Sequence, residues 1–453
     1  MHALLPKNLI RLAENCPTSL YVVGGSVRDF LAGLSPKSGV HDLDICAPLN
    51  AETFVAVAKE SGFAVQSVYK HTGTVKLKDT QTGADLEYSC FRSDKYVRGE
   101  HTPAQIYFTN DINLDAKRRD FTANAVYFDI KAGEFIDPLG GIVAIKEKRL
   151  TTVAPAEKVF SEDGLRLMRL ARQAAELGFS PDKDCLLGAM KNAALIEDIS
   201  PERVFAELLS ILRADERFGV QGGHYQGLRL LSKTRVLDYI LPELTKGRDM
   251  AQRADFHNYD VLEHSLRAVL YAERKIRLAA LLHDVGKPLC TLRDGNTYAH
   301  PVEGALLAKS ILQRLKAPKK LTDYTVSLVQ WHMYDMDGKT GENKLRRFFV
   351  ERGDILQDLL LLKQADFSAC KDDLRPAPTC IRWRSLLEKM HAENVPFSLK
   401  ELRVNGNDLL EAKLPANKLS AILSALLSHV AITPKDNEKT RLISLALSLQ
   451  NQL

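Results

Sequence analysis

Two runs decide the fold of this chain: Val22-Val23-Gly24-Gly25-Ser26-Val27-Arg28-Asp29 and Gly39-Val40-His41-Asp42-Leu43-Asp44-Ile45. Apolar residues before the glycine pair and a helical pattern after it predict a strand, a tight turn and a helix, and the second run predicts another strand. Because side chains alternate between the two faces of a strand, we expect Asp42 and Asp44 on one face. Two neighbouring carboxylates can bind a hard divalent cation such as Mg²⁺ together with substrate phosphates.

The residues around the two aspartates favour a substrate that contains phosphate. Gly24 and Gly25 allow backbone N–H groups to approach a phosphate, and Arg28 follows one helical turn later, where its guanidinium can pair with the phosphate charge. An isolated Asp-x-Asp is more often a turn or a solvated strand edge, and Gly-Gly is usually a plain turn. The order of strand, glycines, helix and paired acids nevertheless predicts a nucleotidyl transfer site, with Asp42 and Asp44 as catalytic residues that bind Mg²⁺.

The composition is that of an ordinary globular protein and excludes a disordered chain. Of the 453 residues, 45% are hydrophobic and 26% are charged, and the length alone, before any motif is considered, corresponds to about three domains of ordinary size. The net charge of +5 permits a nucleic acid partner without requiring one. Seven cysteines without C-x-x-C pairs, and the lack of an apolar stretch of about 18 residues, predict a cytoplasmic protein without a disulfide framework or a membrane partner.

The fold class is predicted to be α+β, with a sheet-bearing head followed by a long all-α body. After the paired acids come a helical pattern at Asn50–Ser61 and alternating patterns at Thr74–Lys78 and Leu86–Phe91, which predict a mixed sheet with helices. From about Glu157 onward, periodic leucine and alanine predict helices to the end of the chain.

A basic motif, Arg118-Arg119-Asp120-Phe121-Thr122, precedes the strand pattern Val126-Tyr127-Phe128. Guanidinium groups match phosphate oxygens, so the adjacent arginines can clamp a triphosphate while Asp120 orients one of them. Basic pairs usually belong to a solvated surface. The run from Asp120 to Ala125 that follows this pair is an unusual sequence for such a surface. The motif therefore predicts a triphosphate contact.

Phe160–Arg172 is predicted to be one helix with Ser161 as its N-cap. Asp163, Arg166 and Arg169 recur at three-residue spacing, which would place them on one face of that helix. A carboxylate accepts the amino protons of cytosine or adenine, and a guanidinium donates to ring acceptors, so this face could select a base without a template strand. The alternative is an amphipathic helix with intrahelical ion pairs.

With these motifs in order, the chain resembles class II CCA-adding enzymes, the tRNA nucleotidyltransferase and bacterial poly(A) polymerase family. The resemblance covers Tyr21 to about Leu209 and resumes at Leu402–Leu410. Beyond the motifs quoted above, it is carried by Asp137-Pro138-Leu139-Gly140-Gly141, Glu162-Asp163-Gly164-Leu165-Arg166 and Ile199-Ser200-Pro201-Glu202-Arg203. It implies a polymerase-beta-like nucleotidyltransferase head.

The resemblance also implies a role for each matching residue. Asp42 and Asp44 would bind Mg²⁺, Gly25, Arg28 and Arg119 would contact the triphosphate, and Asp163 and Arg166 would read the base with support from Arg169 and Arg172. Glu87 lies where a third acidic residue often lies near the metals. The reaction would be attack of a tRNA 3′-hydroxyl on the α-phosphate of CTP or ATP, with release of pyrophosphate.

A second metal site is predicted in the helical body. Asp260-Val261-Leu262-Glu263-His264 and Leu282-His283-Asp284-Val285-Gly286-Lys287-Pro288 look like the HD-domain signature of metal-dependent phosphohydrolases. The expected ligands are His264, His283, Asp284 and Asp366, and His300 and His332 extend the set. Mixed nitrogen and oxygen ligands suit Mn, Fe, Ni or Mg better than a structural zinc site. Such a domain could hydrolyse phosphates on damaged tRNA ends or persist as a scaffold.

Four domains are expected: a nucleotidyltransferase head at 1–150, a neck with the base-reading helix at 151–215, a helical body with the HD phosphohydrolase domain at 216–385, and a tRNA-binding tail at 386–453. The expected partners are tRNA, CTP and ATP, and the sequence leaves the oligomeric state open. The loop at 96–103 departs from the Tyr and Arg-Arg-Pro of many relatives, which leaves complete CCA addition against A-only addition open. The competing interpretations are a dedicated A-adding enzyme, a poly(A) polymerase, or chiefly an HD phosphodiesterase or phosphatase with a nucleotide-binding head.

Overall fold

The computed structural model describes residues 1–37, 43–97 and 103–450. Two compact units are present: residues 1–245 with 314–316, and residues 246–313 with 317–453. The predicted catalytic residue Asp42 and the loop residues 98–102 lie outside the described residues. The four predicted domain ranges stay predictions, since two units are a coarser division.

The first unit is built around a mixed β-sheet. Its strands are β1 (Tyr21–Val23), β2 (Leu43–Ala47), β3 (Phe63–Tyr69), β4 (Thr74–Asp79), β5 (Asp85–Cys90), β6 (Arg92–Lys95), β7 (Gln105–Phe108), β8 (Tyr127–Asp129), β9 (Phe135–Ile136), β10 (Arg149–Leu150) and β11 (Ser180–Pro181). Seven of them form one sheet in the order β3-β4-β5-β2-β1-β8-β9, in which β2 and β5 are parallel and the other neighbours are antiparallel. The prediction of an α+β head with a mixed sheet is confirmed.

Helices surround this sheet and continue beyond it in the first unit. They are α1 (Lys7–Asn15), α2 (Gly25–Leu31), α3 (Ala51–Glu60), α4 (Ile112–Lys117), α5 (Gly141–Lys146), α6 (Ala156–Glu162), α7 (Leu165–Leu177), α8 (Lys183–Asn192), α9 (Pro201–Leu212), α10 (Ala214–Phe218), α11 (Gly223–Lys233), α12 (Val236–Ile240) and α13 (Pro242–Thr245). The helix predicted at Asn50–Ser61 is confirmed as α3. It begins after Asn50 because the Asn50 side chain caps it, accepting from the Thr53 N–H at 2.8 Å.

The prediction of one helix over Phe160–Arg172 is wrong. The chain leaves α6 at Asp163, whose backbone is extended (φ −146°, ψ 107°), and α7 begins at Leu165. A Cβ on Gly164 would lie 2.3 Å from the Leu195 carbonyl oxygen, so close packing at this glycine accompanies the break. Ser161 is not an N-cap, since it lies inside α6 and its hydroxyl donates to the Lys158 carbonyl.

Strand β2 positions the carboxylate of Asp44. Ile45, Cys46 and Ala47 are fully buried, whereas Asp44 is exposed. Cys46 packs in a core cluster with Phe91 and Tyr127, whose rings meet edge to face at 6.0 Å. Burial of the carboxyl end of the strand therefore anchors it, and its first residues face the surface.

The second unit is helical throughout its described residues, as predicted for the body. Its helices are α14 (Val261–Tyr271), α15 (Arg277–Leu282), α16 (Lys287–Asp294), α17 (His300–Arg314), α18 (Lys319–Trp331), α19 (Glu342–Glu351), α20 (Leu356–Lys371), α21 (Pro378–Ala392), α22 (Gly406–Glu411), α23 (Leu419–Val430) and α24 (Lys439–Leu449). No helix in the described part of the chain is both long enough and apolar enough to cross a bilayer.

Candidate functional site

An open cavity of about 720 Å³ lies in the first unit, and nine cationic side chains of the described residues line its wall together with seven carboxylates. It is lined by the glycine turn before α2, by β2, β4 and β5, and by residues of α7. Eight arginines of the described chain line it: Arg28, Arg92, Arg118, Arg119, Arg166, Arg169, Arg172 and Arg217. A cavity of this size and charge suits a polyanion such as a nucleoside triphosphate.

Two carboxylates and an ammonium group form a row across the sheet inside this cavity. Asp44 of β2 pairs in register with Glu87 of β5, and Glu87 pairs with Lys76 of β4. Directly paired residues share a face at a separation of about 5 Å, and all three line the cavity. Glu87, which the resemblance assigned only loosely, therefore lies beside Asp44. The geometry of the predicted pair with Asp42 is outside the described residues.

Gly24 keeps the space over Asp44 open. Its backbone has φ +81°, a conformation that favours glycine, and a Cβ there would lie 3.0 Å from Asp44 Oδ2. The neighbouring Gly25 begins α2 and lines the cavity, and its contact with a phosphate stays a prediction. The two glycines thus serve different purposes in the same turn.

Arg28 is buried in the wall of the cavity and already has protein partners. Its Nε and Nη2 donate to Asp29 Oδ1 at 2.9 and 2.6 Å, and its Nη1 donates to Asn124 Oδ1 at 2.7 Å. Burial lowers the pKa of Arg28, although the Asp29 carboxylate opposes this. Arg28 therefore has a structural role at α2, and its contact with a phosphate stays a prediction.

Asp115, which the sequence interpretation missed, holds the arginine pair. It is fully buried at the end of α4, and it accepts from Arg118 Nε at 2.7 Å and from Arg119 Nη2 at 3.0 Å. Burial would raise the pKa of Asp115, but the two guanidinium groups outweigh burial and hold that pKa at about 2. The i, i+3 and i, i+4 spacing of Asp115 from the arginines was the signal that could have revealed it.

The expectation that Asp120 orients one arginine of that pair is wrong. The Asp120 carboxylate instead pairs with Arg169 at 2.9 Å and accepts from the side chain of Asn124 at 2.8 Å. Asp115 reaches Arg118 and Arg119 because it lies one helical turn before them, whereas Asp120 lies after α4 has ended.

Asp163, Arg166, Arg169 and Arg172 all line the cavity, but Asp163 does not share a helical face with the others, because it precedes α7. Burial raises the pKa of Asp163 to about 6, against the opposing effect of Arg166. Arg166 donates to the carbonyls of Val159 at 3.0 Å and Arg118 at 2.7 Å. Two backbone carbonyls thus hold Arg166, one of the side chains predicted to read a base.

The remaining arginines of α7 also have carboxylate partners. Arg172 pairs with Glu207 at 2.6 Å and with Glu176 at 3.2 Å. The aromatic ring of Tyr96 lies 5.4 Å from the Arg166 guanidinium, so it covers one face of that group. The contact between Tyr96 and Arg166 connects the segment after β6 to the start of α7.

The second unit contains the predicted metal ligands in one buried cluster. His264 of α14, His283 and Asp284 after α15, and Asp366 of α20 come together. His264 Nε2 lies 3.0 Å from Asp366 Oδ1, 3.3 Å from Asp284 Oδ2 and 3.2 Å from His283 Nε2. Buried nitrogen and oxygen atoms that converge in this way fit a divalent cation.

His300 and His332 join the same cluster. His300 Nε2 lies 3.2 Å from Asp284 Oδ1, and His332 Nε2 lies 3.8 Å from it. Burial lowers the pKa of His283, but the carboxylates of Asp284 and Asp366 outweigh burial and raise it. His257 and Cys370, which the sequence interpretation did not include, can offer ligand atoms within 4.8 Å of one from His264.

Comparisons with known proteins identify three matching families along the chain. The Poly A polymerase head domain matches residues 20–151, the probable RNA and SrmB-binding site of polymerase A matches 178–247, and the HD domain matches 261–367.

Individual relatives cover more of the chain. An A-adding tRNA nucleotidyltransferase of Deinococcus radiodurans is 30% identical over 78% of this chain and 77% of its own. A CCA-adding enzyme of Lactococcus lactis is 34% identical over 49% of this chain, and this alignment spans 52% of the relative, about half its length. The crystal structure of the Bacillus stearothermophilus CCA-adding enzyme in complex with CTP has the same fold, with a TM-score of 0.67 at 24% identity over 99% of each chain.

Proposed function

The chain belongs to the class II CCA-adding enzyme family of tRNA nucleotidyltransferases, and on this premise we propose that it adds C, A or both from CTP and ATP to the 3′ end of tRNA without a template. The observation that carries the proposal is the row of Asp44, Glu87 and Lys76 in a cavity lined by arginines. Paired carboxylates beside a polyanion site are what nucleotidyl transfer requires.

Asp44 and Glu87, with Asp42 from outside the described residues, would hold Mg²⁺. Exposed carboxylate oxygens are the ligands that Mg²⁺ prefers, so the donor set fits this ion. When bound, Mg²⁺ supplies activation of the attacking hydroxyl and stabilisation of the departing pyrophosphate. In the reaction, the tRNA 3′-oxygen forms a bond to the α-phosphorus as the bond from that phosphorus to pyrophosphate breaks.

The arginines and glycines would bind the rest of the nucleotide. Arg119, fixed by Asp115, would contact triphosphate oxygens together with the Gly25 N–H and the Arg28 side of the cavity wall. Asp163 would accept the exocyclic amino protons of cytosine or adenine, and Arg166 would donate to their ring acceptors, with Arg169 and Arg172 supporting the nucleotide. Uracil and guanine present the opposite pattern at these positions, so they would be rejected.

The test is extension of a tRNA that lacks its terminal CCA and of one that ends in CC, with CTP alone, ATP alone and both. We expect incorporation by the full-length protein with Mg²⁺, none by Asp44→Ala, and normal incorporation by Glu134→Ala, an exposed carboxylate of the same unit. Absence of incorporation from both nucleotides on both substrates by the unmodified protein would overturn the proposal.

The same products separate complete CCA addition from A-only addition. The relative that aligns with 78% of this chain is named an A-adding enzyme, which keeps this second candidate in place. If CTP alone extends the tRNA that lacks CCA, complete CCA synthesis is supported. If ATP extends only the tRNA that ends in CC, the A-adding activity is supported. A long homopolymeric A tail instead indicates a poly(A) polymerase.

We further propose that the HD domain is a metal-dependent phosphohydrolase that acts on phosphates at RNA 3′ ends. The buried cluster of imidazoles and carboxylates supports it, and this donor set fits Mn, Fe, Ni or Mg. The test is phosphate release from 2′,3′-cyclic and 3′-phosphate nucleotides with each metal, by the full-length protein and by His283→Ala. Absence of hydrolysis with every metal would assign the cluster a structural role.

We also propose that the protein works in the cytoplasm. All seven cysteines are free thiols, and six of them are buried. Free thiols persist in a reducing compartment, and the cytoplasm is such a compartment.

A further inference from the structure

Gln173 places a buried carboxamide in the wall of the cavity proposed to bind the nucleotide. It lies on α7 one turn after Arg169, is 2% exposed and lines the cavity. The cavity residues of α7 described above are arginines, so Gln173 adds an uncharged group to that surface. A buried amide is stable when its oxygen and its NH₂ group both have hydrogen-bond partners.

Both halves of the Gln173 amide have such partners. Its Oε1 accepts from Arg28 Nη1 at 3.3 Å and from Asn124 Nδ2 at 3.1 Å. Its Nε2 donates to Asp120 Oδ2 at 3.4 Å. Because the oxygen faces two donors and the NH₂ group faces a carboxylate, these contacts define one orientation of the amide.

These hydrogen bonds join three parts of the first unit at one point. Arg28 belongs to α2 and Gln173 to α7, and the segment after α4 carries Asp120 and Asn124. Asp120 also pairs with Arg169 of α7 at 2.9 Å. A continuous connection therefore runs from Arg28, on the triphosphate side of the proposed site, to Arg169, on the base side.

An amide suits this place because it both accepts and donates. The guanidinium of Arg28 requires an acceptor, and the carboxylate of Asp120 requires a donor. A carboxylate in place of the amide would accept from Arg28 but would repel Asp120, and an apolar side chain would contact neither group by hydrogen bonding. The side chain of Gln173 therefore fits a link between a cationic and an anionic group.

We propose that Gln173 is a positioning residue that fixes the triphosphate side of the nucleotide site relative to the base side. The inference rests on the proposed nucleotidyl transfer and adds a determinant of base specificity to it. Arg28 would contact the phosphates, and Asp163 and Arg166 would hold the base. The link through Gln173 therefore determines where the α-phosphorus lies between them. A matching base brings the α-phosphorus into line with the tRNA 3′-oxygen, and a mismatched base does not.

Gln173→Met removes the hydrogen bonds and keeps the length of the side chain. The groups that bind the two ends of the nucleotide remain, so the Kd of CTP should change by no more than about threefold. The kcat for CTP should fall by about tenfold, because the α-phosphorus is no longer held in line. Mismatched UTP has no such alignment to lose. The ratio of kcat/KM for CTP to that for UTP should therefore also fall by about tenfold.

The test measures this ratio with the full-length protein. Rates of addition are compared for CTP and UTP on a tRNA that lacks CCA, and for ATP and GTP on a tRNA that ends in CC. The ratio does not depend on the folded fraction of a preparation, so a loss of stability alone would leave it unchanged. Gln226→Met alters an exposed glutamine of α11 in the same unit and should keep the ratio of the unmodified protein.

The outcomes separate this inference from the proposed function. A ratio in Gln173→Met within about twofold of that of the unmodified protein would overturn the role of Gln173 and keep the nucleotidyl transfer. Absence of incorporation by the unmodified protein would overturn both. If Gln173→Met does not fold, Gln173→Glu decides, because it keeps the size of the side chain but cannot donate to Asp120. Its ratio should also fall, and an unchanged ratio would contradict the proposal.

Discussion

Asp44 is exposed at the start of a strand and faces a cavity lined by arginines, whereas Asp284 is 1% exposed and has four imidazoles and the Lys287 ammonium within 3.8 Å. A buried carboxylate is stable only when charged partners surround it, so the protein itself assembles the cation site around Asp284. An exposed carboxylate stays hydrated, and Mg²⁺ is usually held by one or two such groups together with phosphates of the substrate. We therefore expect the HD site to keep its metal without substrate, and the head to bind its metal with the nucleotide.

The largest expected effect is the loss of one site's property in a variant that leaves the other site intact. Asp44→Ala removes a carboxylate that would hold the Mg²⁺ of the transfer reaction, so nucleotidyl transfer should fall by about 10³-fold or more while the Mn²⁺ content of the HD cluster is unchanged. His283→Ala should do the reverse. Tracer incorporation into truncated tRNA and metal analysis on the same preparations measure both, and loss of both properties in either variant would show that the sites are not independent.

The second-largest effect is expected from the removal of Asp115, the buried carboxylate that pairs with Arg118 and Arg119. Asp115→Ala leaves Arg118 and Arg119 without their shared carboxylate, which should lower the free energy of unfolding of the first unit by about 3–5 kcal/mol. Denaturant titration checks this, with HD metal content expected to stay constant.

Asp111→Ala is the matched control for that change. Asp111 is the exposed N-cap of the same helix and accepts from the Asn113 N–H at 2.8 Å, so its removal should destabilise the first unit much less than the removal of Asp115. Equal losses in the two variants would contradict the role assigned to Asp115.

A smaller effect is expected where the glycine turn meets Asp44. Gly24→Ala would force a side chain into a backbone with φ +81° and place its Cβ 3.0 Å from Asp44 Oδ2. A displacement of this carboxylate should lower nucleotidyl transfer by about 10²-fold. Gly133→Ala has a similar backbone strain but meets open space, so steady-state rates near normal are expected for it. Equal losses in both would attribute the effect to strain alone.

The smallest effect is a pH dependence of the head that the HD cluster does not share. Burial raises the pKa of Asp163 to about 6, so its carboxylate accepts amino protons above pH 6 and is neutral below it. CTP and ATP affinity should therefore fall by about tenfold from pH 7 to pH 5. Calorimetric titration measures this, and Asp163→Asn should bind weakly at both pH values. A wild-type affinity independent of pH would contradict the role of Asp163.

The raised pKa of Asp163 also affects the stability of the fold, which should fall as pH rises, whereas nucleotide affinity should increase. A carboxyl group whose pKa is higher in the folded than in the unfolded chain binds more protons when folded. The contribution of Asp163 to stability is thus fully present below pH 3.8 and is lost as pH rises to about 6. Selection of the base and stability of the fold therefore favour different charge states of this residue.

The local sequence pattern was sufficient to predict features that depend on a single strand or helix. Alternation along β2 predicted that Asp44 points away from the buried Ile45, and the helices expected from periodic leucine and alanine beyond Glu157 include α14 and α15. The mixed sheet was also predictable from alternating residues in Thr74–Lys78 and Leu86–Phe91. The roles of the site residues stay predictions.

Long-range contacts decided what the sequence could not predict. The break at Asp163 and Gly164 goes with packing against the Leu195 carbonyl, more than thirty positions along the chain, and Asp120 pairs with Arg169 of a different helix. The alignment of Glu87 with Asp44 follows from the parallel pairing of two strands that are separated by a helix and a hairpin. Such contacts leave no periodicity in the local sequence.

Anomalous scattering from crystals soaked in Mn²⁺, with and without a nonhydrolysable CTP analogue, tests the contrast between the two sites most directly. The account predicts a peak at the buried cluster around Asp284 in both crystals, and a peak beside Asp44 and Glu87 only when the nucleotide is bound. A peak beside Asp44 that ignores the nucleotide, or an HD cluster without metal until substrate is added, would contradict it.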